Sequence, residues 1–262
     1  MQIIRIQATD STNRLLKQRS EDAPSLPEGT TLVAWEQTAG RGQADNAWEA
    51  EAGKNLTFSM LLYPDFLLPK QHFLLSEAVA LGVINAVMAS LTHNSMKKVA
   101  HPEVCIKWPN DIYVGEQKIA GILIENDWQD GHIRRSIVGV GMNVNQLEFK
   151  SEAPNPVSIK QITGLDTDLD TLLEEILYHI YKVYEQLKDY CLGTYSDDCA
   201  GRPYIAQMYA QNLYRKTGFF DYEDENGRFR AAIQSISDDG LLHLETDKGE
   251  RRTYAFKEVR TL

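Results

Sequence analysis

A change of hydrophobic period along the chain most constrains how it can fold. From Pro69 to about Leu91 apolar residues recur at helical spacing (Phe73, Leu74, Val79, Leu81, Ile84, Val87, Met88, Leu91), and Thr171 to Tyr190 repeats the pattern as a second long amphipathic helix. Most of the remaining patterned sequence has the length and period of strands: residues 2–8, TTLVAWEQT, LTFSMLLY, VCIKW, DIYVG, QKIAGILIEN and RRSIVGVGMNVN, with Gly115-Glu116 as a hairpin turn. A short helix, TNRLLKQRS, follows Asp10 and Ser11, two good N-cap residues. After about Asn212 only alternation is left, near TGFFDYE, RFRAAIQSIS, GLLHLET and ERRTYAF, punctuated by Glu-Asn-Gly, Asp-Asp-Gly and Asp-Lys-Gly. Strands broken by two long helices, then strands alone, predict the α+β class: a mixed β-sheet with helices packed on one side, then a small β-barrel. The expected boundary lies near Leu213, dividing the chain into 1–212 and 213–262.

Composition excludes several function classes. A chain of 262 residues can bury a core without disulfides or structural metal. Its net charge of -10 disfavours a dedicated nucleic-acid binder, which needs a basic field against phosphates, although a local basic pocket stays open. Cys105, Cys191 and Cys199 are widely spaced, form no Cys-x-x-Cys pair and read as idle thiols of a reducing cytosol. The six histidines show no metal-ligand spacing. The N-terminus lacks a signal-peptide pattern, and the longest apolar runs fall far short of a membrane span. A soluble, cytoplasmic protein with no membrane contact is the expectation.

Three segments carry polar chemistry. In Gly40-Arg41-Gly42-Gln43, glycines let the backbone approach a ligand while the Arg41 guanidinium offers fixed donors, which suits a carboxylate or phosphate. It is not a Walker loop, because no Gly-Lys-Ser/Thr follows. In Lys107-Trp108-Pro109-Asn110-Asp111 the lysine ends a strand, Pro109 stops the pairing and Asn110-Asp111 turns the chain, so Lys107 can project into a cleft as a point charge. Gly139-Val140-Gly141-Met142-Asn143 lacks the third glycine and following helix of a dinucleotide fingerprint. Its glycines instead permit close approach of a ligand to a strand, and Gly121 reads either that way or as a packing glycine.

In order and combination, DSTN, EQTAGRG with a Trp downstream, KWPNDIYV, KIAGILIE and GVGMNVN closely resemble the biotin–protein ligase family over about residues 8–146. The resemblance implies a class II aminoacyl-tRNA synthetase-like catalytic sheet with an SH3-like C-terminal domain. It implies biotin and ATP as substrates, assisted by Mg²⁺, with biotinyl-5'-AMP as the intermediate. A biotin carboxyl carrier domain of acetyl-CoA or a related carboxylase would be the acceptor, and a homodimer is compatible with it.

Carried over by position, Ser11, Thr12 and Asn13 look like the contacts to the biotin ureido ring, with Gln37 beside them. Arg41, Gly42 and Gln43 sit in the ligand-clamping loop, where Gln43 replaces an Arg of some members. Lys107 matches the lysine that bridges the biotin carboxylate and the α-phosphate, and Gly121 lines the biotin pocket. Trp48 and Asn143 fall where the family contacts the adenylate. The run Ala44-Asp45-Asn46 departs from the family, so Asp45 and Asn46 receive no role, and Asp45 is expected to point outward. The loop from Ala39 to about Lys54 is expected to order on ligand binding. The chain begins almost directly at the catalytic motifs, so no DNA-binding segment and no DNA partner are expected. The competing readings are a lipoate or octanoyl ligase, a non-catalytic carrier-binding module and a transcriptional repressor.

Overall fold

The computed structural model describes the chain except for residues 24, 44–45, 94–102, 151–154 and 194–203. Its first part runs β1 (Ile3–Thr9), α1 (Thr12–Asp22), β2 (Thr31–Gln37), β3 (Leu56–Leu62), α2 (Phe73–His93), β4 (Val104–Lys107), β5 (Asp111–Val114), β6 (Gln117–Gln129) and β7 (His132–Met142). Then follow α3 (Ile159–Thr163), α4 (Leu169–Cys191), α5 (Tyr204–Gln211) and five short strands: β8 (Phe220–Asp224), β9 (Gly227–Ile236), β10 (Leu242–Thr246), β11 (Arg251–Tyr254) and β12 (Val259–Thr261). The sequence pattern contained β1 to β7, α1, α2 and α4. It gave no sign of α3 or α5.

The seven strands of the first sheet lie in the order β1-β2-β3-β7-β6-β5-β4, with β1 and β2 parallel and every other pair antiparallel. Strand alternation divides this sheet into two chemically different faces. Phe58, Met60 and Leu62 of β3, Ala120 and Ile122 of β6, and Val138, Val140 and Met142 of β7 join α2 and α4 in the main core. The intervening residues turn the other way: Leu61 and Ile137 pack with Leu16 of α1 and Leu32 in a second, smaller cluster. Helices therefore cover both faces, not one as the sequence suggested. The fully buried run of β3 is the local sign of this, because a strand covered on one face only would alternate.

Helix α2 is also less one-sided than its spacing implied. It is buried almost all round, packed between the sheet, α4 and α5. Contrary to the expectation of short apolar runs, Pro69–Thr92 could cross a membrane by length and composition, with an 18-residue window of mean hydropathy 1.8, yet 78% of that window is buried inside the fold. Apolar residues on every side of a helix mark burial on every side.

The second sheet is wholly antiparallel, in the order β11-β10-β9-β8-β12. Leu213 still belongs to the first sheet, where it bridges Ile106, and the second sheet begins at Phe220. A turn of this second sheet packs on the part of the chain built around the first: the Phe73 amide donates to the Asp238 carbonyl at 3.2 Å, and Trp108 Nε1 donates to the Gly240 carbonyl at 3.1 Å.

Candidate active site

A cavity of about 460 Å³ opens on the α1 side of the sheet, between the start of α1, the ends of the central strands, the Gly40–Trp48 loop and the C-terminal module. Its floor is made of glycines. Gly121 pairs with Gly141 across β6 and β7, and Gly139 faces Ser59 across β7 and β3. A Cβ at Gly139 would lie 2.3 Å from Asn13 Oδ1, and one at Gly141 would lie 2.3 Å from the Trp48 ring. Only glycine allows Asn13 and Trp48 to sit this close to the strands.

One end of the cavity is a hydrogen-bonding cluster. The Thr12 amide and hydroxyl donate to Gln37 Oε1 at 2.7 and 2.9 Å. Ser59 Oγ lies 2.7 Å from Thr12 Oγ1 and 2.6 Å from Asn13 Oδ1, and Asn13 Nδ2 donates to Glu125 Oε2 at 2.8 Å. Ser11 takes the N-cap position of α1, but its hydroxyl makes no capping bond and it lines the cavity. Ser11, Thr12, Asn13 and Ser59 are buried, and Gln37 and Glu125 are half-buried, so the cluster presents donors and acceptors at fixed positions with little water competing.

The other end is cationic. Among the described residues Arg41, Lys107, Lys118, Lys257 and Arg260 line the cavity, and Asp111 is the one carboxylate to do so. Lys118 Nζ is 2.7 Å from Asp111 Oδ1 and 5.5 Å from the centre of the Trp48 ring. Arg41 Nη1 lies 3.4 Å from Glu125 Oε1. Lys107 ends β4, opposite Asp111 in the β4–β5 register. Burial pushes its pKa below the usual lysine value, and Asp111 opposes that shift. In a chain with a net charge of -10, such a concentration of cations is a local field for an anion.

The turn that presents Lys107 is held from three sides. Its Trp108–Pro109 peptide is cis. Asn110 Nδ2 donates to the Ile122 carbonyl at 2.6 Å, the buried Tyr209 hydroxyl of α5 donates to the Pro109 carbonyl at 3.0 Å, and Trp108 reaches the module at Gly240.

Ten of the residues singled out from sequence line this cavity together: Ser11, Thr12, Asn13, Gln37, Arg41, Gly42, Gln43, Trp48, Lys107 and Gly121. Asn143 does not. It is buried behind the floor, where its side chain donates to the Lys118 carbonyl at 3.4 Å and its backbone pairs with Ile119 and Ile159. Asn46, which had been given no role, lines the cavity, and Asp45 lies outside the described residues.

Sequence reasoning passed over Ser59, Lys118 and the module residues Phe256, Lys257 and Arg260. Lys118 stood in the sequence within KIAGILIE, three residues before Gly121. Ser59 carried the weaker sign of a hydroxyl inside an apolar strand. The module residues reach the site only through docking, which leaves no local pattern.

The loop after Gly42 is anchored at its far end. Gln146 Oε1 accepts from the Glu51 amide at 3.0 Å and from Asn55 Nδ2, and Gln146 Nε2 donates to Glu49 Oε1 at 3.1 Å. Neither described cysteine supplies a nucleophile: Cys105 is buried, which pushes its thiol up to about 12, and Cys191 is pushed up to about 11. Cys199 lies outside the described residues.

Comparison with known proteins identifies the family and the fold. A model of the biotin/lipoate A/B protein ligase family matches residues 5–143, more than half of the chain. The bifunctional ligase/repressor BirA of Bacillus subtilis is 31% identical over 234 residues, covering 88% of this chain and 66% of its own length. The chain thus spans just under two thirds of that curated relative. A biotin--[acetyl-CoA-carboxylase] ligase of Paracoccus denitrificans is 28% identical over 93% of this chain and 94% of its own. Among solved structures, biotin protein ligase from Aquifex aeolicus in complex with biotin and ATP superposes with a TM-score of 0.75 at 25% identity, covering 100% of this chain and 99% of that one. On the strength of the family match and the shared fold, the chain belongs to the biotin/lipoate A/B protein ligase family.

Proposed function

We propose that this chain is an ATP-dependent biotin–protein ligase, which activates biotin as biotinyl-5'-AMP and passes it to a lysine of a biotin carboxyl carrier domain. The observation that carries the reading is the cavity's polarity: a buried amide-and-hydroxyl cluster at one end and, among the described residues, five cations to one carboxylate at the other. A ureido ring offers amide donors and an acceptor, which matches Ser11, Thr12 and Asn13, with Ser59 holding the last two from behind. A dithiolane ring has no such groups, so this cluster favours biotin over a lipoyl acid.

In the first half-reaction a carboxylate oxygen of biotin attacks the α-phosphorus of ATP. The bond from that phosphorus to the bridging oxygen breaks, and pyrophosphate leaves. Two anions must meet, and Lys107, with Arg41 and Lys118 nearby, neutralises the charge where they do. In the second half-reaction the acceptor amine attacks the biotinyl carbonyl, AMP leaves with the anhydride oxygen, and the nitrogen loses a proton. Trp48 and the Arg41 loop would cover the anhydride against water.

Magnesium would enter as MgATP, part of the substrate. Among the described residues no group of three His, Cys, Asp or Glu is placed to hold a metal, and Asp111 is committed to Lys118, so phosphate oxygens together with water would supply its ligands. The residues assigned to biotin and nucleotide, the carrier partner and a homodimeric state all belong to this proposal.

The test is incubation with ATP, Mg²⁺ and a purified carrier domain, with biotin in one arm and lipoic acid in the other, reading the mass of the carrier lysine. Modification in the biotin arm alone is expected. Modification in the lipoic acid arm alone, or in neither, overturns the proposal.

A further inference from the structure

We infer that Tyr214, in the segment joining the two sheets, is a positioning residue that together with Tyr113 fixes the Lys107 ammonium for the adenylation step. The inference rests on the ligase reading above. Lys107 Nζ donates to Tyr113 Oη at 3.4 Å and lies 5.2 Å from the centre of the Tyr113 ring and 6.0 Å from that of Tyr214. The two rings are 5.5 Å apart and tilted by 39°, so they form a wall behind the lysine. Neither tyrosine lines the cavity, whereas Lys107 does. The ammonium is therefore held from outside the site and offered inward.

Both rings are themselves held. The chain at Tyr214 runs beside the end of β4: the Ile106 amide donates to the Asn212 carbonyl and the Tyr214 amide to the Ile106 carbonyl, each at 2.8 Å. The Tyr214 hydroxyl donates to Glu116 Oε2 in the β5–β6 turn. The Arg215 guanidinium lies 5.0 Å from the centre of the Tyr214 ring and 5.0 Å from that of Phe220, and Arg215 Nη1 donates to the carbonyl of Leu262, the last residue, at 2.8 Å. The chain's C-terminal residue, the first strand of the module and the wall behind Lys107 thus meet at one arginine.

A lysine carries several rotatable bonds, and fixing its head in advance removes an ordering cost from the reaction. The ring faces also favour the charged form of an ammonium taken partly out of water. The other charged and titratable groups acting on Lys107 are Asp111 on β5, Glu116 in the turn, Lys118 on β6 and Arg215. The rings add an attraction with no charge of their own, which leaves the anion field intact.

The experiment is biotin-dependent exchange of pyrophosphate into ATP by the full chain, measured across pH for wild type, Tyr214→Leu and Tyr214→Phe. Leucine fills the space but has no ring face. It is expected to lower kcat about five- to tenfold with KM for biotin within twofold, and to move the alkaline limb of the profile to lower pH. Tyr214→Phe keeps the ring and is expected to return the rate to within about twofold of wild type and the limb to its wild-type position. A general loosening of structure would not restore the pH limb in this way. If Tyr214→Leu fails to fold, Tyr214→Met takes its place under the same expectations. An active wild type whose leucine or methionine variant matches it in kcat and pH profile overturns the inference alone. A wild type with no biotin-dependent exchange overturns the ligase reading and the inference with it.

Discussion

Lys107 gathers the demands of the site into one side chain. It must be a cation, and burial works against that, lowering its pKa, while Asp111 across the hairpin works for it. Removing a preorganised charge from a developing transition state costs about 3–4 kcal/mol, or ~10²–10³-fold in rate. Lys107→Met is accordingly expected to lower pyrophosphate exchange by that factor with the melting temperature nearly unchanged; retention of half the wild-type rate would remove Lys107 from the chemistry. A second charged group works for stability alone. Burial acts to raise the Asp127 pKa, but hydrogen bonds from Lys17 and the buried Arg135 outweigh it and hold the carboxyl below its ordinary 3.8. Its contribution is complete above that value and is lost as pH falls through the lower, folded value. Asp127→Asn is expected to cost about 1.5–3 kcal/mol at neutral pH. The difference between its melting curve and that of wild type should shrink as pH falls from 3.8 through the lower, folded value, and a difference that stays constant over that fall would contradict the linkage.

At the scale of elements, the sheet sets the site by period two. Residues of β3, β6 and β7 that face α2 are apolar; on the other face Gly121, Gly139 and Gly141 line the cavity, and Ser59 lies buried behind Thr12 and Asn13. Gly139→Ala would push a methyl group to 2.3 Å from Asn13 Oδ1 and displace the Thr12–Asn13–Ser59 cluster. We expect biotin affinity, measured by calorimetry, to fall at least tenfold while ATP affinity changes little; an equal loss for both ligands would place Gly139 elsewhere in the site. The ligand loop divides in two. Residues around Glu51 and Asn55 are pinned by Gln146, whereas Arg41 and Gly42 rest on a short bridge to Ala47 and an ion pair to Glu125. Ligand-dependent slowing of hydrogen exchange is expected at Arg41, Gly42 and Asn46–Trp48, and little change at Glu51–Asn55. Uniform slowing, or none, would defeat a hinged closure.

At the scale of the whole molecule, the module completes the cavity. Phe256, Lys257 and Arg260 line it, and docking runs through the turn at Asp238 and Gly240. Trp108 bridges the two parts: it follows Lys107 in sequence, donates to Gly240 and meets Phe256 edge-on at 6.3 Å. Trp108→Phe removes the hydrogen bond and leaves an aromatic ring. A loss of about 1 kcal/mol is expected, read as a drop of roughly 2–4 °C in Tm. KM for ATP should rise severalfold as the module edge loosens, and an unchanged KM would show that docking does not depend on this contact.

The sequence by itself determined most of the first sheet, the two long helices and the polar segments that meet in the cavity. Strand and helix periods are local, and a strand-end lysine before Pro-Asn-Asp or a Gly-Arg-Gly loop carries its chemistry wherever it lands. Tertiary structure decided the rest. Asn143 sits in a motif that reads as a ligand contact, but the chain at Lys118–Ile119 takes its hydrogen bonds and draws it behind the floor. Helix α1 covers the face that the sequence left open, because only strand pairing puts Leu61 and Ile137 opposite Leu16 and Leu32. The cationic end of the cavity gathers Arg41, Lys107, Lys118, Lys257 and Arg260 from distant parts of the chain. No window of sequence holds that field, because charge acts through space and only packing brings those residues within reach of one another.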